Sequence, residues 1–211
     1  MSLAVRSGRR FSREGLVERP RLVAKLTSGR HMPLVSIVAP AGYGKTSLLA
    51  DWTDRDERPS AWLELERGWH NEPVCLVREI LAALDELLRA GAVLDGSDRG
   101  PAVELALERL SSLAAVLEEA EPDAHVTVEV LPALATTLEA WPHPIALVLD
   151  DAHSLTSTTA LHAIATVAEH LPFGSQLVLA SRTRLDLPLG RLRAHRALLE
   201  LGVADMAMEP A

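Results

Sequence analysis

Residues 34–49, Leu-Val-Ser-Ile-Val-Ala-Pro-Ala-Gly-Tyr-Gly-Lys-Thr-Ser-Leu-Leu, constrain this chain more than any other stretch. Leu34 to Val38 is a short apolar run with two valines and an isoleucine, the pattern of a strand covered on both faces. Gly42 and Gly44 then let the backbone curl so that its N–H groups face one concavity, to which the positive end of the following helix adds. Such a seat takes phosphate. Lys45 reaches the terminal phosphates of a nucleotide in this arrangement, and the Thr46 hydroxyl ligates Mg2+. The nucleotide-binding set runs through Ala41, Gly42, Tyr43, Gly44, Lys45, Thr46 and Ser47, because Pro40 has no N–H to offer. The pattern G-x-x-x-x-G-K-[ST] is met except that Ala39 stands at its first glycine, where alanine is tolerated while φ stays negative. Of 21 basic residues only Lys25 and Lys45 are lysines, so the loop lysine departs from a habit of arginine.

A chain of 211 residues is long enough for one domain with a proper core, and 48% hydrophobic residues suit a folded globule. The net charge of −8 argues against a general nucleic-acid-binding surface. One cysteine, Cys75, excludes an internal disulfide and multi-cysteine zinc patterns; it reads as a small apolar residue on a helix in a reducing compartment. No apolar run reaches membrane-spanning length and no signal peptide is recognisable, so the expectation is a soluble, cytoplasmic protein without membrane contact.

Residues 1–16 carry Arg6, Arg9, Arg10 and Arg13 and are expected to be a flexible basic arm; 17–203 form the domain, and 204–211 a tail at a truncation point. A helix begins at Pro20 and ends near Ser28-Gly29. Helix Thr46 to Trp52 leads to a strand at Ala61 to Leu65. Pro73 to Leu88 has apolar residues at helical spacing and is expected to break at Gly91 and the Asp95-Gly96-Ser97 turn. Further helices span Pro101 to Glu119 and about Val126 to Trp141, with Pro132 disturbing the start of the latter. Their leucines read as core, since no heptad run crosses the breaks. Strands follow at Pro144 to Leu149, Gln176 to Ala180 and Ala197 to Leu201, with a helix at Thr158 to His170. Alternating apolar strands and helices specify an α/β three-layer sandwich. It has a mostly parallel five-stranded sheet, right-handed crossovers and helices on both faces. Ligands gather at the carboxyl ends of such strands, where the polar signals fall.

Asp150 follows the Ile145 to Leu149 strand directly, the form of a carboxylate that shares Mg2+ with the hydroxyl after the loop lysine. Asp151, one residue on, is placed to orient or deprotonate an attacking water. The plainer reading of the Asp pair is a helix N-cap. If the Gln176 strand lies between the loop strand and the Asp150 strand, Arg182 projects beside the γ-phosphate, where a cation can sense and stabilise charge during transfer. The catalytic set is therefore Lys45, Asp151 and Arg182, with Thr46 and Asp150 as metal ligands. Spacing does not choose among Arg191, Arg193 and Arg196, which lie on a short helix. His153 reads as a supporting or capping side chain, and Trp52, Trp62, Trp69 and Trp141 as packing residues.

Arg19-Pro20-Arg21-Leu22, the Ala39 to Thr46 loop, Ala61 to Leu65, Leu147 to His153 and Ala180 to Thr183 together resemble one family. It is the nucleotide-binding domain of MalT-like, LuxR-type transcriptional regulators. These are signal-transduction ATPases with numerous domains (STAND), related to AAA+ proteins. In that family the first loop position is often alanine. The resemblance implies an ATP/ADP switch with slow hydrolysis, Mg2+ as cofactor, nucleotide-controlled self-association, and residues 17–22 near adenine. Family members continue into winged-helix, repeat-sensor and helix-turn-helix parts, so direct DNA binding is not expected of these 211 residues. Two other readings are a non-catalytic, nucleotide-dependent interaction module and a small-molecule kinase; the kinase lacks an arginine-rich lid insertion. No base-reading motif separates ATP from GTP.

Overall fold

The computed structural model describes residues 4–7, 18–94, 100–119, 126–195 and 197–207. Its strands are β1 (Ala4–Ser7), β2 (Leu34–Val38), β3 (Ser60–Glu64), β4 (Ala146–Asp150), β5 (Gln176–Ser181) and β6 (Leu198–Leu201). They form one sheet in the order β1-β3-β4-β5-β2-β6, and each pairing among the described residues is parallel. The five strands read from the sequence are all present. The sixth, β1, corrects the expectation for the N-terminal arm, since Ala4 to Ser7 pair with Ser60 to Leu63. The remainder of 1–16 lies outside the described residues.

The helices are α1 (Pro20–Ser28), α2 (Lys45–Arg55), α3 (Pro73–Leu94), α4 (Pro101–Glu119), α5 (Leu131–Glu139), α6 (Thr158–His170), α7 (Gly190–Ala194) and α8 (Val203–Met206). Proline at the first helical position starts α1, α3 and α4, where a missing N–H costs no hydrogen bond. Ser157 starts α6 by accepting from the Ala160 amide at 3.3 Å. Helix α3 runs through Gly91 to Leu94 where a break was expected; one glycine costs a helix only about 1 kcal/mol. The Asp95-Gly96-Ser97 turn lies outside the described residues. Pro132 falls in the first turn of α5, and the turn before it, Val126–Val130, is π-helical. The expected tail at 204–211 begins instead with α8, whose Met206 is buried.

Successive strand residues point to opposite faces, and the core divides accordingly. Leu147 and Leu149 of β4, with Leu177 and Leu179 of β5, pack under α3, α4, α5 and α6. Ala146 and Val148, with Val178 and Ala180, pack under α1, α2 and Met206. The α4 leucines Leu110, Leu113 and Leu117 belong to the first of these cores. Three tryptophans are packed as expected, but Trp69 is 53% exposed in the loop after β3. Cys75 is half-buried on α3. No helix among the described residues is long and apolar enough to cross a membrane.

The amino-terminal ends of the strands are closed by a charged knot. Arg58 donates Nε and Nη2 to the two oxygens of Asp56 at 2.9 and 2.8 Å, Nη2 to Gln176 Oε1 at 2.7 Å, and Nη1 to the Gly174 carbonyl at 2.5 Å. Gln176 Nε2 in turn donates to the Gly29 carbonyl at 3.0 Å, so the end of α1 is tied to β5. Arg30 adds a second cation 3.3 Å from Asp56, and the Arg58 guanidinium stacks 5.7 Å from the Trp52 ring centre.

Candidate functional site

The carboxyl end of β2 lies beside that of β5, and β4 lies on the far side of β5. Ala39 extends β2 by donating its N–H to the Ser181 carbonyl at 3.2 Å, and its methyl is fully buried. At this position a methyl group fills core space that a glycine would leave empty. The chain then turns through Gly42 (φ 83°) and Gly44 (φ 74°), a left-handed backbone that side chains rarely adopt. A Cβ placed on Gly42 would meet nothing within 4 Å, so it is the positive φ and not crowding that calls for glycine there. Gly44 is the cap of α2, and the amides of Lys45, Thr46 and Ser47 open that helix with no carbonyl one turn back to receive them. Tyr43 is half-buried against the core of the α1 and α2 face.

Lys45 is 7% exposed and arches back over the loop, donating Nζ to the carbonyls of Ala39 at 2.6 Å and Pro40 at 3.0 Å. Burial lowers its pKa; the charges of Asp150 and Asp151 oppose that and Arg182 adds to it. Thr46 Oγ1 donates to Asp150 Oδ2 at 2.7 Å, joining two residues 104 positions apart in the chain. Asp150 is 5% exposed, and desolvation raises its pKa against the Thr46 hydrogen bond and the Asp151 amide. The hydroxyl and carboxylate fit a Mg2+ ion shared between protein oxygens, phosphate and water, which is how this cation is ordinarily held. Among the described residues no cluster of three His, Cys, Asp or Glu offers a closed metal cage instead.

Asp151 follows with φ 56° and is the one non-glycine residue in this region of backbone space among those described. Its N–H bonds Asp150 Oδ1 at 2.9 Å and its carbonyl accepts from Ser154 at 3.0 Å, which folds the chain into the 3-10 turn Ala152–Ser154. Strain of this kind costs about 1–3 kcal/mol and collects at functional positions. The Asp151 carboxylate lies 3.8 Å from Arg182 Nε and 3.5 Å from His153 Nδ1, both measured to Oδ1. Arg182 sits at the tip of a turn in which Ser181 Oγ donates to the Thr183 carbonyl at 2.5 Å and accepts from its amide at 3.3 Å. The condition set for Arg182 by the sequence, a β5 strand between β2 and β4, is met.

Lys45, Thr46, Asp150, Asp151 and Arg182 are thus gathered at one end of three neighbouring strands. Arg193 lies exposed on α7, and the side chains of Arg191 and Arg196 lie outside the described residues. A neighbour that spacing did not single out is Arg19. Its guanidinium comes within 3.6 Å of where a Gly44 Cβ would stand, and its Nη1 donates to the Met206 carbonyl at 2.8 Å. The hints in the sequence are its place just before the helix-starting Pro20 and the Arg19-Pro20-Arg21-Leu22 segment that shares in the family resemblance.

A family model described as an AAA ATPase domain matches residues 12–179. The chain belongs to this AAA ATPase family. Similar proteins include the HTH-type transcriptional regulator MalT of Cronobacter sakazakii, 29% identical over 194 residues, which are 92% of this chain and 19% of that protein. MalT of Yersinia enterocolitica is 30% identical over the same extent. This AAA ATPase domain therefore spans about a fifth of the length of the curated relatives it matches. Among solved structures, a STAND protein with a tetratricopeptide repeat sensor from Pyrococcus horikoshii aligns with a TM-score of 0.45 at 16% identity, over 90% of this chain and 23% of that one. PCH-2 of C. elegans aligns with a TM-score of 0.43 at 14% identity, over 90% and 43%.

Proposed function

We propose that this AAA ATPase domain binds Mg·ATP, hydrolyses it slowly and serves as the nucleotide switch of a MalT-type transcriptional regulator. The observation that carries the proposal is the 2.7 Å contact between Thr46 Oγ1 and Asp150 Oδ2 at the mouth of the glycine loop. A hydroxyl and a desolvated carboxylate in contact are poor partners for stability alone, and they suit a shared divalent cation. When bound, Mg2+ would draw charge from the phosphates as they separate.

The amides from Ala41 to Ser47 would hold the phosphate chain, and Lys45 would give up its loop carbonyls for phosphate oxygens. Asp151, strained and 39% exposed at its side chain, is open to solvent and accepts the proton of a water. Arg182, fixed at the tip of its turn, supplies positive charge beside that water. Arg19 couples the loop to α8 through Met206, so loop movement reaches the last described helix. Self-association under nucleotide control and a location in the cytoplasm belong to the same proposal.

Replacing Lys45 with Ala should remove Mg·ATP binding in titration calorimetry, and unchanged affinity would sink the proposal. Phosphate release by the unaltered chain, with Asp151→Asn as control, separates a hydrolase from a module that only binds.

A further inference from the structure

We propose that His153 is a positioning residue for Asp151, acting through its Nδ1–H on Asp151 Oδ1. The inference deepens the reading of Asp151 as the water-activating carboxylate and rests on it for its kinetic consequences. Three observations lead to it. His153 Nδ1 is buried and has no hydrogen-bond partner, which is unusual for a ring nitrogen held away from water. It lies 3.5 Å from Asp151 Oδ1, at the limit of hydrogen-bond reach, and the 3-10 turn Ala152–Ser154 holds it there. Arg182 approaches the same oxygen at 3.8 Å from the strand next door.

Two donors from separate elements therefore converge on Oδ1. A carboxylate clamped by one oxygen has its plane fixed, and Oδ2 is left as the atom that takes the proton. The Asp151 side chain is 39% exposed, so without these donors it would swing toward solvent. A contact slightly too long without substrate is usual for catalytic hydrogen bonds, which tighten when the reacting complex forms. The inference also fixes the ring tautomer, with the hydrogen on Nδ1.

The test uses the whole chain and two readouts. Nitrogen-15 spectra of the imidazoles, with His153 assigned by its loss in His153→Asn, should show the Nδ1–H tautomer and a shift of that resonance in Asp151→Asn. A ring carrying its hydrogen on Nε2, or one indifferent to Asp151→Asn, overturns the proposal. In phosphate-release kinetics, His153→Gln should lower kcat by about 10–100-fold, the range typical of outer partners that orient the ligands of metal sites. KM for Mg·ATP should change less than about threefold, since the contact acts on the chemical step. His153→Asn, whose amide nitrogen stands near the place of Nδ1, should recover most of the loss. Equal losses in Asn and Gln variants overturn the proposal. A chain that binds Mg·ATP without any turnover removes the hydrolysis reading alone, and the imidazole spectra then decide His153.

Discussion

Two buried aspartates stand at opposite ends of the same sheet, and their carboxyls are shifted in opposite directions because their partners differ. Asp56 is 2% exposed at the amino-terminal end and Asp150 is 5% exposed at the carboxyl end. Desolvation pushes both carboxyls up. At Asp56 the hydrogen bonds and charge of Arg58, with Arg30 behind, outweigh it and hold the group below the ordinary carboxylate range. At Asp150 the Thr46 hydroxyl and one backbone amide are too weak to do so, and the group stays above that range. One end spends its charge on holding α1, β3 and β5 together. The other keeps a carboxylate poorly compensated, which is the condition for a site that a cation completes.

The sharpest way to break the comparison is to unpair the amino-terminal end. Asp56→Ala leaves Arg58 buried without its carboxylate and should cost about 3–5 kcal/mol in denaturant unfolding. The added change Arg58→Leu should recover much of that loss, and neither variant should alter Mg·ATP affinity of the folded chain. Next in size is Gly44→Ala. The neighbouring Arg19 leaves room for the methyl, so the cost of about 1–2 kcal/mol comes from the left-handed backbone alone, and it should appear together with weakened nucleotide binding.

Asp150→Asn has the smallest effect and the opposite sign. Removing a desolvated charge should stabilise the fold by about 1 kcal/mol while abolishing the Mg2+-dependent part of binding. The sign with pH follows from linkage. Asp150 titrates higher in the folded state, so its ionisation costs stability as pH rises from the ordinary carboxylate value through its folded value. The advantage of Asp150→Asn is therefore full above the folded value and fades on acidification. Asp56 titrates lower when folded, so its contribution is full above the ordinary value and is lost as pH falls through the folded one. The melting-temperature differences of the two single variants from the unaltered chain should slope against pH in opposite directions.

Much of this was legible because it is local. Helix starts read at Pro20, Pro101 and Thr158 hold to the residue, and the glycine loop and the Asp150-Asp151 pair, from which the proposed roles are read, are each a few adjacent letters. The knot was not legible. Asp56 and Arg58 look like surface charges at the end of a helix, and only the return of Gln176 and Gly174 buries them. The arm expectation failed at Ala4 to Ser7 for a similar reason, because a four-residue strand owes its existence to the edge of β3 rather than to its own composition. Gly91 misled because length and packing of α3 outweigh one poor helix former.

The place of β2 in the sheet has a consequence for how a chain of this kind comes into being. Leu34 pairs with Leu177 on one side and Leu198 on the other, so neither neighbour of the loop-bearing strand exists until residues far downstream of it have been synthesised. A nascent chain on the ribosome can close β3 onto β4 earlier, but the strand that leads into the glycine loop stays unpaired until β5 and β6 have emerged.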